Sequence, residues 1–161
     1  MKKLLCFMSF VLVISSSLMI SCASMKAPII NQIGSMDGFK YVYITPTSEV
    51  TSGSMVNSYG VTKTLNPCDV ISGILIKQGF VRLPALNPRW LDETLIVNYG
   101  ESGRRNVNLG YSIEVTIQFL SANNNMPVCV CTAEGQGSTE ADDIRIAINR
   151  ALKPLFKTTK K

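Results

Sequence analysis

Apolar and polar side chains alternate most strictly in the second half of the 161-residue chain, in the segment YSIEVTIQFL at residues 111–120. One side of this segment carries the apolar positions Tyr111, Ile113, Val115, Ile117 and Phe119, and the other side carries polar residues. Such alternation is typical of an antiparallel strand with one buried and one wet face. The segment SANNNMP predicts a turn, and VCVCTAEGQG predicts the partner strand, with Cys129, Cys131 and Ala133 on one face.

Three earlier segments also predict strands. FKYVYIT at residues 39–45 is rich in aromatic and β-branched residues and stops at Pro46, and FVRL at residues 80–83 is shorter. TLIVNYG at residues 94–100 ends at a glycine, and the polar segment ESGRRNVNLG after it predicts a connection to the alternating strand.

Two segments carry helix signals. Asn66 is a predicted N-cap, Pro67 occupies the first helical position, and Gly79 suits the left-handed conformation that ends many helices. STEADDIRIAINRALKPLF has one apolar stripe, acids at its front and bases at its back, and Pro154 is predicted to end or kink this helix. The stripe consists of Ile144, Ile148, Ala151, Leu152 and Leu155.

Together these elements predict a two-layer α+β domain over residues 38–156. The order is β-α-β-β-β-α, with a mixed, mainly antiparallel sheet and two helices on one face. Residues 46–65 are rich in Ser, Thr and Gly, and such a long loop is either functional or mobile. They are predicted to form a binding loop, with room for one extra strand.

The N-terminus predicts export. Two lysines precede an apolar run at residues 4–14, which is too short for a spanning helix of roughly 20 residues. Residues 1–21 therefore read as a signal peptide. Residues 18–22, LMISC, resemble the lipobox of bacterial lipoproteins, and the alternative is a plain signal peptide with an incidental cysteine.

The lipobox resemblance implies that Cys22 is lipidated and anchors the chain to a membrane. Residues 23–26, directly after Cys22, contain no aspartate, which resembles the outer-membrane rule of enteric lipoproteins and implies the periplasmic face of the outer membrane. Residues 22–37 then read as the lipidated cysteine and a tether, and residues 157–161 as a basic, solvated tail.

Composition narrows the chemistry further. The chain has no histidine, which excludes Ser-His-Asp and Cys-His catalysis. Its net charge of +5 is scattered, so no nucleic-acid face is expected, and neither a metal nor a cofactor is expected. In the mature chain Cys68, Cys129 and Cys131 are either buried core thiols or include a disulfide from Cys68.

Three further features are candidates for binding. GQGSTEADD at residues 135–143 could cradle a phosphate, but its acids argue for a helix cap from Ser138 or Thr139 instead. Arg104 and Arg105 are predicted to be exposed loop charges, with contact to an acidic partner or a lipid headgroup as the alternative. Trp90, the single tryptophan, either packs against the domain edge or is an exposed contact residue.

The C-terminal pattern of strand, turn, strand, Gly-x-Gly and helix resembles small uncharacterised envelope lipoproteins of Gram-negative bacteria. The resemblance implies fold and location, and it brings no catalytic residues. We expect a non-enzymatic, membrane-anchored binding domain that contacts an envelope protein as an accessory or assembly factor. The alternative is a periplasmic small-molecule binder or unrecognised enzyme that uses residues 46–65 as a lid. The oligomeric state stays open.

Overall fold

The computed structural model describes residues 25–56, 59–107 and 110–156. The predicted signal peptide, Cys22 and the basic tail lie outside these residues. Within them no helix is long and apolar enough to cross a membrane.

The described chain forms eight strands, two α-helices and one 3₁₀ helix. In chain order these are β1 (Ile29–Gln32), β2 (Tyr41–Ile44), β3 (Val50–Val56), β4 (Tyr59–Leu65), α1 (Pro67–Lys77), β5 (Val81–Arg82), the 3₁₀ helix (Pro88–Glu93), β6 (Thr94–Val107), β7 (Gly110–Ser121), β8 (Pro127–Gly135) and α2 (Glu140–Leu155). Six strands form one sheet in the order β1-β8-β7-β6-β2-β5, and β3 pairs with β4 in a separate hairpin. Strand β2 is parallel to β5 and β6, and the other pairs are antiparallel. The predicted α+β fold with a mixed sheet is therefore confirmed.

One hydrophobic core lies between the sheet and the two helices. Phe119 of β7 is opposite Val97 of β6 and Cys129 of β8, so these side chains share one face of the sheet. That face belongs to the same buried cluster as Ile71 of α1 and Ile148 of α2. Since residues directly opposite each other across paired strands point to the same side, both helices cover a single face.

The predicted helix ends are confirmed. The Asn66 side chain accepts a hydrogen bond from the Cys68 N–H at 3.0 Å, and the Thr139 hydroxyl accepts one from the Asp142 N–H at 3.2 Å. Gly79 follows α1 with φ +97°, where a side chain would be strained. Pro154 lies in the last turn of α2, and the helix continues to Leu155.

The predicted tether needs a correction at residues 29–32. These residues form β1, which pairs with β8 antiparallel and sets Ile29 opposite Thr132. The strand has four residues, too few to show an alternation along the sequence. Its partner lies about a hundred residues away, so the local pattern gives no signal of the pairing.

The predicted loop at residues 46–65 also needs a correction. It holds a hairpin of two seven-residue strands, with Val50 opposite Leu65, rather than one extra strand or an open loop. Threonine and valine favour extended backbone, and the hairpin forms its own ladder without joining the main sheet.

Strand β6 continues seven residues beyond the predicted end at Gly100. A bulge between Glu101 and Gly103 shifts its register against β7, and pairing then resumes to Val107. Arg104 and Arg105 therefore lie on a strand and not in a loop. The bulge breaks the alternation, which explains why the segment reads as a connection.

Gly135 allows α2 to cross the end of β8 closely. A Cβ atom at this position would lie 1.9 Å from the Asp143 carbonyl oxygen and 2.5 Å from the Ala147 nitrogen. Both are backbone atoms of α2, so they move only if the helix moves. The first glycine of Gly-x-Gly thus serves helix packing.

Replacing Gly135 by alanine should destabilise the domain, because α2 must shift away from β8. We expect Gly135→Ala to lower the free energy of unfolding by about 1–3 kcal/mol or more, as overpacked cores do. Gly73 is the matched control, because it is exposed in α1 and a Cβ there meets nothing within 4 Å. Gly73→Ala should raise the free energy of unfolding by about 0.5–1 kcal/mol through helix propensity. Urea unfolding measures both, and equal midpoints for the two variants would contradict the close crossing.

Candidate functional site: the open face of the sheet and its two ends

The sheet has an open face opposite the helices, defined by the residues that alternate with the core positions. On it Asn98 is opposite Gln118, and Thr116 is opposite Thr132. Thr116 and Thr132 share a hydroxyl hydrogen bond of 3.0 Å. The middle of the open face is therefore polar, and its two ends differ in chemistry.

One end of the open face carries an aromatic patch, which we define as Tyr41, Tyr43, Trp90, Ile96 and Leu120. The Trp90 ring stacks on Tyr41 with centroids 5.0 Å apart and an interplanar angle of 16°. Thr94 donates its hydroxyl to the Trp90 carbonyl at 2.6 Å, which fixes the 3₁₀ helix to the start of β6. Ile96 lies between Tyr43 and Leu120 in the register. All five members of the patch are half-buried, so Trp90 both packs on the domain edge and shows part of its surface.

The opposite end of the open face holds a buried carboxylate, Glu134, whose side chain is 3% exposed. Arg105 donates Nε to Glu134 Oε1 at 3.0 Å and Nη2 to Oε2 at 2.8 Å. The backbone N–H of Lys26 donates to Oε2 at 3.0 Å, and Lys26 Nζ lies 3.5 Å from Oε1. The Arg105 hydrogen bonds are the main reason that the pKa of Glu134 falls to about 2.

Arg104 is ion-paired as well. Its Nη2 donates to Glu140 at the start of α2 and lies 3.4 Å from Glu101 Oε2. Its guanidinium also lies over the Tyr111 ring, 5.6 Å from the centroid. The expected loop charges are thus strand residues with protein partners. The alternation along VCVCTAEGQG, continued to residue 134, places Glu134 on the wet face of the sheet. This placement is the sequence feature from which a partner for Arg105 could have been predicted.

The segment GQGSTEADD forms a helix cap. This is the alternative that its acidic residues favour over a phosphate site. Two N–H groups of its first turn bond to side chains: Thr139 accepts from Asp142, and Ser52 Oγ accepts from the Ala141 N–H at 3.0 Å. Buried Asp143 accepts from the Gly137 N–H, and burial raises the pKa of Asp143. These bonds occupy N–H donors that a phosphate at this helix start would otherwise use.

The hairpin of β3 and β4 is fastened to the same helix start. Lys63 Nζ lies 2.7 Å from Asp142 Oδ2, and Ser138 also donates to Asp142 at 2.7 Å. Mainly through Lys63, the pKa of Asp142 falls to about 2. The hairpin is therefore bound to α2 at two points, through Lys63 and Ser52.

Among residues 25–56, 59–107 and 110–156, the open face has at least two shallow depressions. One, of about 120 Å³, is lined by Lys26, Arg104, Arg105, Ser112, Glu114 and Glu134 among others. The second, of about 190 Å³, is lined by Asn98, Tyr99, Glu101, Thr116 and Gln118 among others. Both are smaller than the roughly 300–1,000 Å³ typical of small-molecule pockets.

The three described cysteines are buried free thiols, so the structure has the core-thiol alternative and no disulfide from Cys68. Cys129 and Cys131 face the core with their sulfurs 3.7 Å apart. Arg82 donates to the Cys68 sulfur at 3.1 Å, while burial raises the pKa of Cys68. No group of three or more potential metal ligands occurs among residues 25–56, 59–107 and 110–156.

No family model and no curated protein matches the chain. Solved structures that are similar to it include two of the PelC dodecamer from Paraburkholderia phytofirmans, one of them with a single substitution. The substituted form has a TM-score of 0.47 and the other 0.43; each is 14% identical, and each match covers 80% of this chain and 96% of that chain. At this level of similarity neither carries an inference about function.

The Glu134 ion pair predicts a distinct loss of stability in acid. A carboxyl whose pKa falls to about 2 on folding, from a usual 4.5, stabilises the fold above pH 4.5 and loses that contribution as the pH falls toward 2. Glu134→Gln should be less stable at pH 7 and should lose less stability than the parent between pH 5 and pH 2. Asp142 keeps its own contribution to the pH dependence. The slope of stability against pH should therefore be smaller in Glu134→Gln but should not vanish.

Thermal unfolding at a series of pH values measures this difference. Glu49→Gln is the control, because Glu49 is an exposed glutamate outside the cluster, and it should retain the parent's slope. An unchanged slope in Glu134→Gln would refute the ionised, Arg105-bound carboxylate.

Proposed function

We propose that the chain is a lipoprotein anchored through Cys22 at the periplasmic face of the outer membrane, whose domain binds an envelope protein without catalysis. The anchor rests on the lipobox resemblance of residues 18–22. The binding role is supported by the aromatic patch at one end of an open sheet face.

The aromatic patch has the composition of a protein contact. Tyr and Trp are enriched in protein interfaces because they bring a large apolar area with few rotatable bonds. Here Trp90 and Tyr41 are pre-stacked, so contact would order few further side chains. Tyr43 and Ile96 extend the patch on the same face, where both remain half-buried.

The shape of the open face favours a macromolecule over a small ligand. The two depressions described above, of about 120 and 190 Å³, are small and lined mainly by polar residues. The hairpin proposed as a lid is held on α2 through Lys63 and Ser52. A small-molecule binder or an enzyme therefore stays the alternative, with less support.

Photo-cross-linking in intact cells tests the proposal. A photoreactive residue replaces Tyr43 in the patch. As a control it replaces Ile76, which is 54% exposed on α1, on the opposite side of the sheet from the patch. We expect one envelope protein to be cross-linked from position 43 and not from position 76. The adduct should be lost in Cys22→Ala, which removes the anchor. Equal labelling from both positions, or no adduct from position 43, would overturn the proposed contact.

A further inference from the structure

The N-terminal segment is hydrogen-bonded to the rest of the domain from Lys26 onward. The Lys26 N–H donates to Glu134, and the Lys26 carbonyl accepts from Arg150 Nη2 at 2.8 Å. Strand β1 follows, and then the N–H groups of Ile33 and Gly34 donate to the Val128 carbonyl, each at 2.9 Å. The docked segment therefore runs along the edge of β8 and is part of the folded domain.

This docking leaves a short link to the proposed anchor. Lys26 is four residues after Cys22, and a fully extended chain spans at most about 3.6 Å per residue. The link is thus no longer than about 14 Å. A free tether over residues 22–37 would have reached roughly 50 Å by the same measure.

The strand directions decide which end of the sheet lies near this link. Strand β1 is antiparallel to β8, and β7 is antiparallel to both β8 and β6, so β8 and β6 run the same way. Lys26, Glu134 and Arg105 consequently share one end. Trp90 precedes β6, whose first residue, Thr94, lies eleven residue steps before Arg105, or roughly 36 Å along a strand.

The end near the link presents its cations outward. The Lys26 side chain is 62% exposed, whereas its partner Glu134 is 3% exposed. Arg104 is 52% exposed, whereas its partner Glu140 is 29% exposed. Each carboxylate lies deeper than the base that it pairs with. Solvent therefore meets ammonium and guanidinium groups, which suit phosphate oxygens. Partly exposed carboxylates also lie beside them, those of Glu101 and Glu114.

We infer that the basic end of the sheet, defined by Lys26, Arg104 and Arg105, rests against the phosphate groups of the anchoring bilayer, and that the aromatic patch points away from it. The inference rests on the proposed anchor at Cys22 and adds an orientation to it. It places the patch on the side of the domain that a partner in the periplasm would reach.

The single tryptophan gives a direct test. The full, lipidated protein is reconstituted in phosphatidylcholine vesicles that contain a lipid spin-labelled on its headgroup, which quenches nearby tryptophan fluorescence. Trp90 should not be quenched. In Trp90→Phe combined with Tyr111→Trp, the tryptophan moves to the basic end, because Tyr111 lies under Arg104 and is 39% exposed. This variant should lose fluorescence.

Quenching of Trp90 alone, or of both reporters equally, would overturn the orientation. Flotation with the vesicles separates the two proposals. A protein that floats with the vesicles but shows no quenching at either position keeps the anchor and loses the orientation. A protein that does not float, because Cys22 carries no lipid, overturns both. Phenylalanine at position 90 retains a ring for Tyr41, and matching circular dichroism spectra verify the fold.

Two matched lysine substitutions test the phosphate contact. Lys26 and Lys40 are both ion-paired to a glutamate and are 62% and 68% exposed, but they lie at opposite ends of the sheet. Adding phosphatidylglycerol to the vesicles should deepen the quenching of the Tyr111→Trp reporter. Lys26→Gln should reduce that gain, and Lys40→Gln should preserve it. Equal effects of the two variants would refute a contact specific to the basic end.

Discussion

The buried carboxylate of Glu134 joins two separate parts of the chain at one end of the sheet. Its two oxygens take hydrogen bonds from β6 through Arg105 and from the N-terminal segment through Lys26. Arg150 of α2 donates to the backbone carbonyls of Glu134 and Lys26. A buried charge is costly unless its partners are in place, so the carboxylate requires β6 and the N-terminal segment to be correctly placed at once. Arg150 adds α2 to this arrangement through the backbone carbonyls.

The next residue sets a constraint of a different kind on the other face. Gly135 faces α2, and its missing side chain allows the helix backbone to lie directly on β8. The helix is then capped by Thr139 and tied to the hairpin by Asp142 and Lys63. Glu134 and Gly135 are adjacent at the end of β8 and act on opposite faces of the sheet. Glu134 holds its ionic partners on the open face, and Gly135 allows α2 to pack closely on the other face.

These constraints leave the sheet with two unlike ends. The basic end is ion-paired and joined to the N-terminal segment, while the other end carries stacked aromatic rings near the start of β6. If a lipid holds the basic end to a bilayer, the aromatic patch at the other end points in a defined direction relative to that bilayer. A short link of four residues would then transmit that direction, which a long tether could not do.

The sequence by itself determined the features whose causes are local. The alternation at residues 113–119, the caps at Asn66 and Thr139 and the apolar stripe of α2 depend on neighbours a few positions apart, and all are present in the structure. The first pair of the predicted alternation is reversed, since Tyr111 is 39% exposed and Ser112 is buried. Only the tertiary structure decided the pairing of β1, the hairpin in residues 46–65 and the partners of Arg104 and Arg105. The Lys26–Glu134 bond joins residues 108 positions apart, and the Arg105–Glu134 pair joins residues 29 apart. Such contacts leave no periodic trace in the chain, because their energy depends on burial and distance that arise only once the layers have packed.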